Sequence, residues 1–146
     1  IQNGQDVIIS INNNPDYYIE IKAKWTFNVE PAHMSRNQMK MAIRHSDRYS
    51  LCCVDLTKEV DNYFPEIDTI INNTYVHLHI ANEIRDIMSG IISADDRFAL
   101  KNEEQRGITM GGDYRCNIPK RVFVNGASFD SLINSIVEKI NKEICG

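Results

Sequence analysis

Three side chains near the start of the chain have the types and the spacing that metal-assisted hydrolysis requires. Glu20 and Lys22 lie two residues apart in an alternating apolar–polar segment, so on a β-strand both would point to the same face. Asp6 precedes them in a second such segment. An Asp and a Glu can hold Mg²⁺ or Mn²⁺, which polarises a phosphoryl oxygen and acidifies its bound water. A lysine beside that water stabilises developing charge, so the set predicts phosphodiester hydrolysis.

The same residues have a simpler interpretation when each is taken alone. An E-x-K pair on a strand is usually a solvated face with a weak charge pair. The second acid, Asp6, at the matching end of a hairpin, is what favours a site with Asp6 and Glu20 as metal ligands and Lys22 as the catalytic amine. Asp16 follows Pro15, but we interpret it as a turn residue because it would lie at the loop end, far from Asp6.

A β-hairpin is the element that must position these residues. Strands are predicted over Asp6–Ile11 and Tyr17–Trp25, and the turn-forming segment NNNPD between them predicts a five-residue loop. The resulting register keeps the strongly apolar side chains on one face. On the other face it places Asp6 beside Lys22 and diagonal to Glu20.

The rest of the chain predicts a mixed central β-sheet flanked by helices, an α/β fold. Ser35 and Gln38 have the spacing of a helix capping box, and the apolar run Tyr49–Leu56 predicts a central strand. The C-terminal residues predict an amphipathic helix. The weaker predictions are a helix from Pro65 to Ile71, a strand over Tyr75–Ile80, a helical stripe of Ile84, Ile87, Met88 and Ile91, a loop over Ser93–Gly112, short strands over Tyr114–Ile118 and Val122–Val124, and a turn at Asn125-Gly126.

Length and composition indicate one globular domain over residues 1–146. No run approaches the roughly 18 apolar residues of a membrane span, so no membrane association is expected. The four cysteines lack C-x-x-C spacing, which favours reduced thiols and a cytoplasmic location over a disulfide framework or a zinc site. Because the first residue is Ile1 and not Met, we expect a processed chain or a piece of a larger protein.

Charge and the remaining motifs narrow the function classes. The net charge of −4 argues against a protein that coats nucleic acid non-specifically, although a local basic cluster can still meet phosphates. His77 and His79 would share a strand face, but no third ligand has suggestive spacing, so an ordinary strand pair is favoured over a metal site. Gly111-Gly112 lacks the following Lys-Ser/Thr of a phosphate loop. The basic residues that could form such a phosphate-contacting cluster are Lys22, Lys24, Arg36, Lys40 and Arg44.

The order of the short motifs resembles a known family. GQD at Gly4–Asp6, IEIKAKW at Ile19–Trp25, MSRNQMKMA at Met34–Ala42 and YSLCCV at Tyr49–Val54 resemble the PD-(D/E)xK, restriction endonuclease-like superfamily. More narrowly, they are similar to the domain at the C-terminus of the plant protein NO VEIN and in many bacterial multidomain proteins. The resemblance implies a restriction endonuclease-like core with Asp6, Glu20 and Lys22 as the metal-binding and catalytic positions. Members often carry a glutamate where this chain has Gln38, a position that either a catalytic or a capping role explains.

Together these observations predict a Mg²⁺-dependent (or Mn²⁺-dependent) nuclease domain that hydrolyses DNA. The resemblance further implies an effector part of a larger bacterial defence or DNA-processing protein, with other domains or subunits as partners. The alternative is a catalytically inactive module of the same fold that serves binding or scaffolding. An intact Asp–Glu–Lys set favours the enzyme, and the acidic charge balance favours the inactive module.

Overall fold

A four-stranded mixed sheet forms the centre of the molecule, with helices on both faces. The computed structural model describes residues 6–24, 32–56, 66–106, 115–118, 120–124 and 126–145. The elements in chain order are β1 (Val7–Ile11), β2 (Asn14–Lys24), β3 (Ala32–Ser35), α1 (Arg36–His45), a 3-10 turn (Ser46–Arg48), β4 (Tyr49–Asp55), α2 (Ile67–Asn72), α3 (Thr74–His77), β5 (Leu78–Asn82), α4 (Arg85–Arg106), β6 (Arg115–Ile118), α5 (Lys120–Val124) and α6 (Phe129–Cys145). The mixed α/β architecture predicted from the sequence is confirmed.

The sheet has the order β1-β2-β4-β5, with β2 parallel to β4 and the other neighbours antiparallel. β4 is a central strand, as its apolar run predicts, because residues of both its faces are buried. Leu51 and Cys53 join a core with residues of α1, α4 and the small β3–β6 sheet. Cys52, on the opposite face, packs in a second core with Leu132 and Ile136 of α6. The helices therefore cover both faces of the sheet. The site residues lie on the face that α1 and α4 cover.

The β1–β2 hairpin is tighter than the sequence predicts. Asn12 and Asn13 have φ values of 49° and 65° and form a two-residue turn, which asparagine tolerates better than most residues. Val7 therefore pairs with Ile19, two residues away from its predicted partner. The predicted five-residue loop and the placement of Asp6 beside Lys22 are both wrong. Because the shift is even, however, every side chain near the site keeps its predicted face.

Asp16 lies within β2 and not in a loop, so its interpretation as a turn residue is wrong. The pairing passes from Ile9 with Tyr17 to Ser10 with Pro15, which makes Asp16 the extra residue of a β-bulge. The bulge lies at the turn end of the hairpin, so Asp16 remains far from Asp6 along the strands, as predicted.

Helix α1 begins as its sequence predicts. The Ser35 hydroxyl accepts a hydrogen bond from the Gln38 backbone N–H, and the Gln38 side chain accepts one from the Ser35 N–H at 2.8 Å. This reciprocal arrangement is the predicted capping box. Met34 and Met39, on either side of the helix start, are fully buried in one core, the arrangement of a hydrophobic staple.

Three of the weaker secondary-structure predictions are wrong. Residues 74–77 form a short helix before β5, with Tyr75 80% exposed, so the strand begins only at Leu78. Helix α4 continues to Arg106 through the predicted loop, because residues 93–106 contain neither glycine nor proline and include many helix formers. Val122–Val124 belong to helix α5, which packs against β5.

The predicted turn at residues 125–126 is described only in part. A side chain on Gly126 would come within 1.8 Å of the Ile80 carbonyl oxygen, so only glycine fits where this segment passes β5. The predicted positions Trp25, Gly111-Gly112 and Asn125 lie outside the described residues, as do Gly4 and Tyr114. Cys52, Cys53 and Cys116 are free and buried, consistent with the prediction of reduced thiols.

Candidate active site

Glu20 lies at the middle of β2, between the edge strand β1 and the central strand β4. Its side chain is 2% exposed, and its partner on β4 is the fully buried Leu51. The alternation of β2 directs Glu20 to the face that helix α1 covers. A carboxylate in this position must find hydrogen-bond donors or another partner, because burying it without one is costly.

Two side chains donate hydrogen bonds to the same oxygen of Glu20. The Lys22 Nζ lies 2.5 Å from Glu20 Oε1 and forms an ion pair with it. The Gln38 Nε2, which reaches down from the first turn of α1, also donates to Oε1. Gln38 therefore caps helix α1 and also contacts Glu20. The sequence left a capping role and a role in the site as alternatives, and the structure places Gln38 where it can do both.

Asp6 reaches the same place from the edge of the sheet. Its backbone N–H donates to the Ile19 carbonyl at 2.9 Å, and its Oδ2 accepts a hydrogen bond from the Ile21 N–H at 2.7 Å. These two bonds flank Glu20 on β2, so Asp6 lies next to Glu20. The negative charge of Asp6 also acts on Glu20, where it contributes to a raised pKa. The structure thus brings Asp6, Glu20 and Lys22 together, as the sequence predicts, by a different register.

The second oxygen of Glu20, Oε2, differs from the first. Among the residues that the structure describes, Glu20 Oε2 is buried and makes no hydrogen bond. Burial raises the pKa of Glu20 above its ordinary value, and the hydrogen bond and charge of Lys22 oppose that rise without cancelling it. A buried carboxylate oxygen without a donor is a position where a bound cation would supply the missing partner.

Two tyrosines, one on β4 and one on β2, lie near the acids of the site. Burial raises the pKa of Tyr49, and the charges of Glu20 and Asp6 raise it further, so Tyr49 stays a neutral phenol beside the acids. Tyr18, two residues before Glu20 on the same face of β2, stacks on His45 with ring centroids 3.7 Å apart. The sequence analysis did not single out this pair, since a stack between a strand and a helix end has no spacing signature.

The donor set limits what kind of metal centre the site can form. No group of three or more His, Cys, Asp or Glu in the described part of the chain could hold a metal ion. The acids that the described part of the site brings together are Asp6 and Glu20. Such a pair is typical of Mg²⁺, which keeps several waters and completes its shell with substrate phosphate oxygens.

The other candidate residues lie away from this site. His77 is in helix α3, and its Nδ1 donates to the Asp55 carbonyl at 2.9 Å; the prediction that it shares a strand face with His79 is wrong. His79 Nε2 lies 3.6 Å from Asp55 Oδ2 on β4. Arg36, one of the predicted phosphate contacts, forms ion pairs with Asp95 and Asp96 of helix α4.

Comparison with known proteins gives one finding that bears on the site. The family model described as "Protein NO VEIN, C-terminal" matches residues 2–64, a span that contains Asp6, Glu20, Lys22 and Gln38. Over that span the match confirms the predicted similarity to the C-terminal domain of NO VEIN. No curated protein and no solved structure matches the chain. None of the described helices is both long and apolar enough to cross a membrane.

Proposed function

We propose that this protein is a metal-dependent nuclease domain that hydrolyses phosphodiester bonds of DNA. The observation that carries the proposal is the buried Oε2 of Glu20, which has no hydrogen-bond partner among the described residues, with Asp6 hydrogen-bonded next to Glu20 and the Lys22 amine 2.5 Å from the other oxygen. A purely structural acid on this face would have donors on both oxygens or would be exposed. A carboxylate with one satisfied and one open oxygen is instead suited to hold a ligand.

Asp6 and Glu20 would hold Mg²⁺ or Mn²⁺ between them. The ion, when bound, would polarise the scissile phosphoryl oxygen and lower the pKa of a bound water. Hydrogen bonds within the protein would hold both carboxylates in place and leave them available to the ion. The Ile21 N–H fixes the Asp6 carboxylate, and Gln38 and Lys22 fix Glu20 through Oε1, which leaves Oε2 directed to the ligand.

Lys22 would act on the substrate from the same strand. It lies two residues after Glu20 and has a side chain 22% exposed, so its amine can reach both the carboxylate and a bound phosphate. An ammonium in that position stabilises the charge that develops on phosphorus in the transition state and orients the attacking water. Gln38 is a positioning residue in this scheme, since it contacts Glu20 and no reacting atom.

The wider assignment is part of the same proposal. A central mixed sheet whose hairpin carries the acids and the lysine is consistent with a restriction endonuclease-like core of the PD-(D/E)xK superfamily. We propose further that the domain works with other domains or subunits of a bacterial defence or DNA-processing protein in the cytoplasm, as the resemblance stated from the sequence implies. The specific observation in favour of the rival, an inactive scaffolding module, is the net charge of −4.

A cleavage assay separates the two functions. Supercoiled plasmid, linear duplex and single-stranded DNA are incubated with the protein in Mg²⁺, Mn²⁺ or EDTA. Cleavage that needs the metal, and that Lys22→Ala and Asp6→Ala each reduce at least a hundredfold, is the expected result. Lys142→Ala, which removes an exposed lysine of α6 on the opposite face of the sheet, serves as the matched control and should cut like the wild type. The catalytic assignment fails if no DNA is cut, or if both site variants cut as fast as the control.

A further inference from the structure

Helix α6 carries an apolar seam that faces solvent. Ile133, Val137 and Ile144 are 42%, 47% and 63% exposed, and Ile140, which lies between the last two, is half-buried. α6 has more exposed large apolar side chains than any other element that the structure describes. A contiguous exposed strip of this kind on a soluble protein indicates a contact surface.

The seam is distinct from the side of α6 that packs on the sheet. Leu132 and Ile136 are the buried side chains of that side, and they lie in the second core with Cys52. With 3.6 residues per turn, the seam occupies the adjacent stripe of the helix. Ile140 borders both stripes, because it also packs against the second core. The seam therefore continues the apolar surface of the core out to solvent.

The seam has the spacing by which two helices pack together. Its four residues follow one another at steps of four, three and four, which is the a/d repeat of a coiled coil. A helix that only covers its own core needs a single apolar stripe. The second stripe of α6 therefore indicates that another helix packs on it.

Charge indicates which helix fits the seam. Charges beside an a/d seam normally decide the partner of a helix, but the flank away from the core is formed by Asn134 and Asn141, which are exposed and uncharged. Two copies of α6 can therefore approach each other without like charges in contact. Parallel packing would set Asp130, one heptad before Val137, against its own counterpart. Antiparallel packing keeps the two aspartates at opposite ends of the pair.

The seam is also self-complementary about a two-fold axis. In an antiparallel pair, Ile133 would lie against Ile144 of the second copy, and Val137 against Ile140 of the second copy. Each contact would then occur twice, as in the same-patch interfaces of symmetric dimers. Opposed helix dipoles also favour the antiparallel orientation.

We propose that α6 is the contact through which two copies of this protein form an antiparallel, two-fold symmetric dimer. Because α6 covers the face of the sheet opposite Glu20, the dimer would leave both candidate sites open. The inference does not rest on the proposed nuclease function, and it is tested without DNA and without metal.

The size of the contact sets the expected affinity. A helix of 17 residues is about 25 Å long, so one helix pair buries less than the roughly 1,200–2,000 Å² of a standard interface. We therefore expect a dissociation constant on the order of micromolar, and a dimer that forms only as the protein concentration rises.

Sedimentation equilibrium in EDTA, over about 2–200 μM protein, measures this association. The wild type should shift from the monomer mass to the dimer mass. Val137→Glu would bury a charge in the apolar contact of each copy and should raise the dissociation constant about thirtyfold or more. Ile71→Glu, at an isoleucine 62% exposed on α2, is the matched control and should associate like the wild type.

Two outcomes of that experiment would overturn the inference. One is a wild type that stays monomeric throughout the series, which would leave the seam to another protein or domain. The other is a folded Val137→Glu variant, judged by circular dichroism, that associates as tightly as the wild type. Neither outcome depends on whether the protein cuts DNA.

Cysteine cross-linking tests the orientation of the two helices. Ile133→Cys and Ile144→Cys are combined in a Cys145→Ser background and mildly oxidised. The two new thiols lie about 16 Å apart along one helix, too far for a bond within one copy. The double variant should form a covalent dimer on a non-reducing gel, whereas Ile133→Cys alone should not. A covalent dimer from Ile133→Cys alone, or none from the double variant, would refute the antiparallel contact.

Discussion

Glu20 Oε2 is buried and has no hydrogen-bond partner among the described residues. We therefore predict that binding of a metal ion at this oxygen increases the stability of the protein. A buried acceptor left without a partner costs about 1–3 kcal/mol, and more when it is charged. A cation that binds Glu20 and Asp6 removes that cost only in the folded state, so it must raise the free energy of unfolding. Once the site is saturated, each further tenfold increase in free Mg²⁺ adds about 1.4 kcal/mol.

The size of the shift follows from the length of the chain. For a domain of 146 residues, 1 kcal/mol corresponds to about 3–4 °C in melting temperature. The wild-type melting temperature should therefore rise by about 4–5 °C for each tenfold increase in Mg²⁺ above saturation. Differential scanning fluorimetry at constant ionic strength, with NaCl replacing MgCl₂, separates this binding effect from charge screening.

Variants decide whether Glu20 and Asp6 are the cause. Glu20→Gln and Asp6→Asn preserve size and the accepting oxygen but remove the charge, and their melting temperatures should stay flat across the same Mg²⁺ series. Glu138→Gln, at an exposed glutamate of α6, should respond like the wild type. A wild type that does not respond to Mg²⁺, or a Glu20→Gln variant that responds as strongly as the wild type, would refute the metal site whatever the cleavage assay shows.

Three further predictions test the elements around the site. Gln38→Ala loses the cap of α1 and a donor to Glu20, so urea unfolding should show a loss of about 1–2 kcal/mol. Gln38→Glu can still accept from the Ser35 N–H, but it sets a second carboxylate against Glu20 Oε1, so in metal-free buffer it should lose at least as much. The raised pKa of Glu20 means that folding favours its neutral form, so stability from this group is present below the ordinary pKa of 4.5 and is lost as the pH rises through the raised value. In metal-free buffer the unfolding free energy of the wild type should therefore fall relative to Glu20→Gln between pH 4 and pH 7, and a constant difference would contradict the assigned shift. Asn13→Ala removes the side-chain amide that lets asparagine tolerate a φ of 65° and should cost about 1 kcal/mol in urea unfolding, whereas Asn13→Gly should cost nothing.

The alternation of the two strands was enough to predict which residues meet at the site. Side chains two apart on β2 share a face, and this holds for Glu20 and Lys22 in any pairing. The partner of Asp6 depended on the turn, and the sequence NNNPD did not show that the first two asparagines alone would form it. The error was two residues, an even number, so it moved Asp6 from Lys22 to Glu20 without changing its face.

Predictions failed where local patterns did not determine the element. Tyr75 and Val76 are β-formers, yet they lie in helix α3, and the pairing with β4 begins at Leu78. The segment Ser93–Gly112 is polar and contains glycine, and these features suggested a loop. The helix continues there because its residues favour helix and nothing in the sequence ends it before Gly107.

The position of Glu20 is difficult to explain by stability alone. An apolar side chain between β1 and β4 would avoid the desolvation of a charge, and replacement of buried ion pairs by apolar groups is often neutral or stabilising. The structure instead supplies two donors, Lys22 and Gln38, to one oxygen and none among the described residues to the other. Donors to one oxygen alone fix the orientation of a carboxylate but leave its second oxygen without a hydrogen bond. That arrangement costs free energy in the absence of a ligand, and the cost is removed when a cation binds. Glu20 Oε2, which has no hydrogen bond among the described residues, is therefore the strongest argument for a metal site.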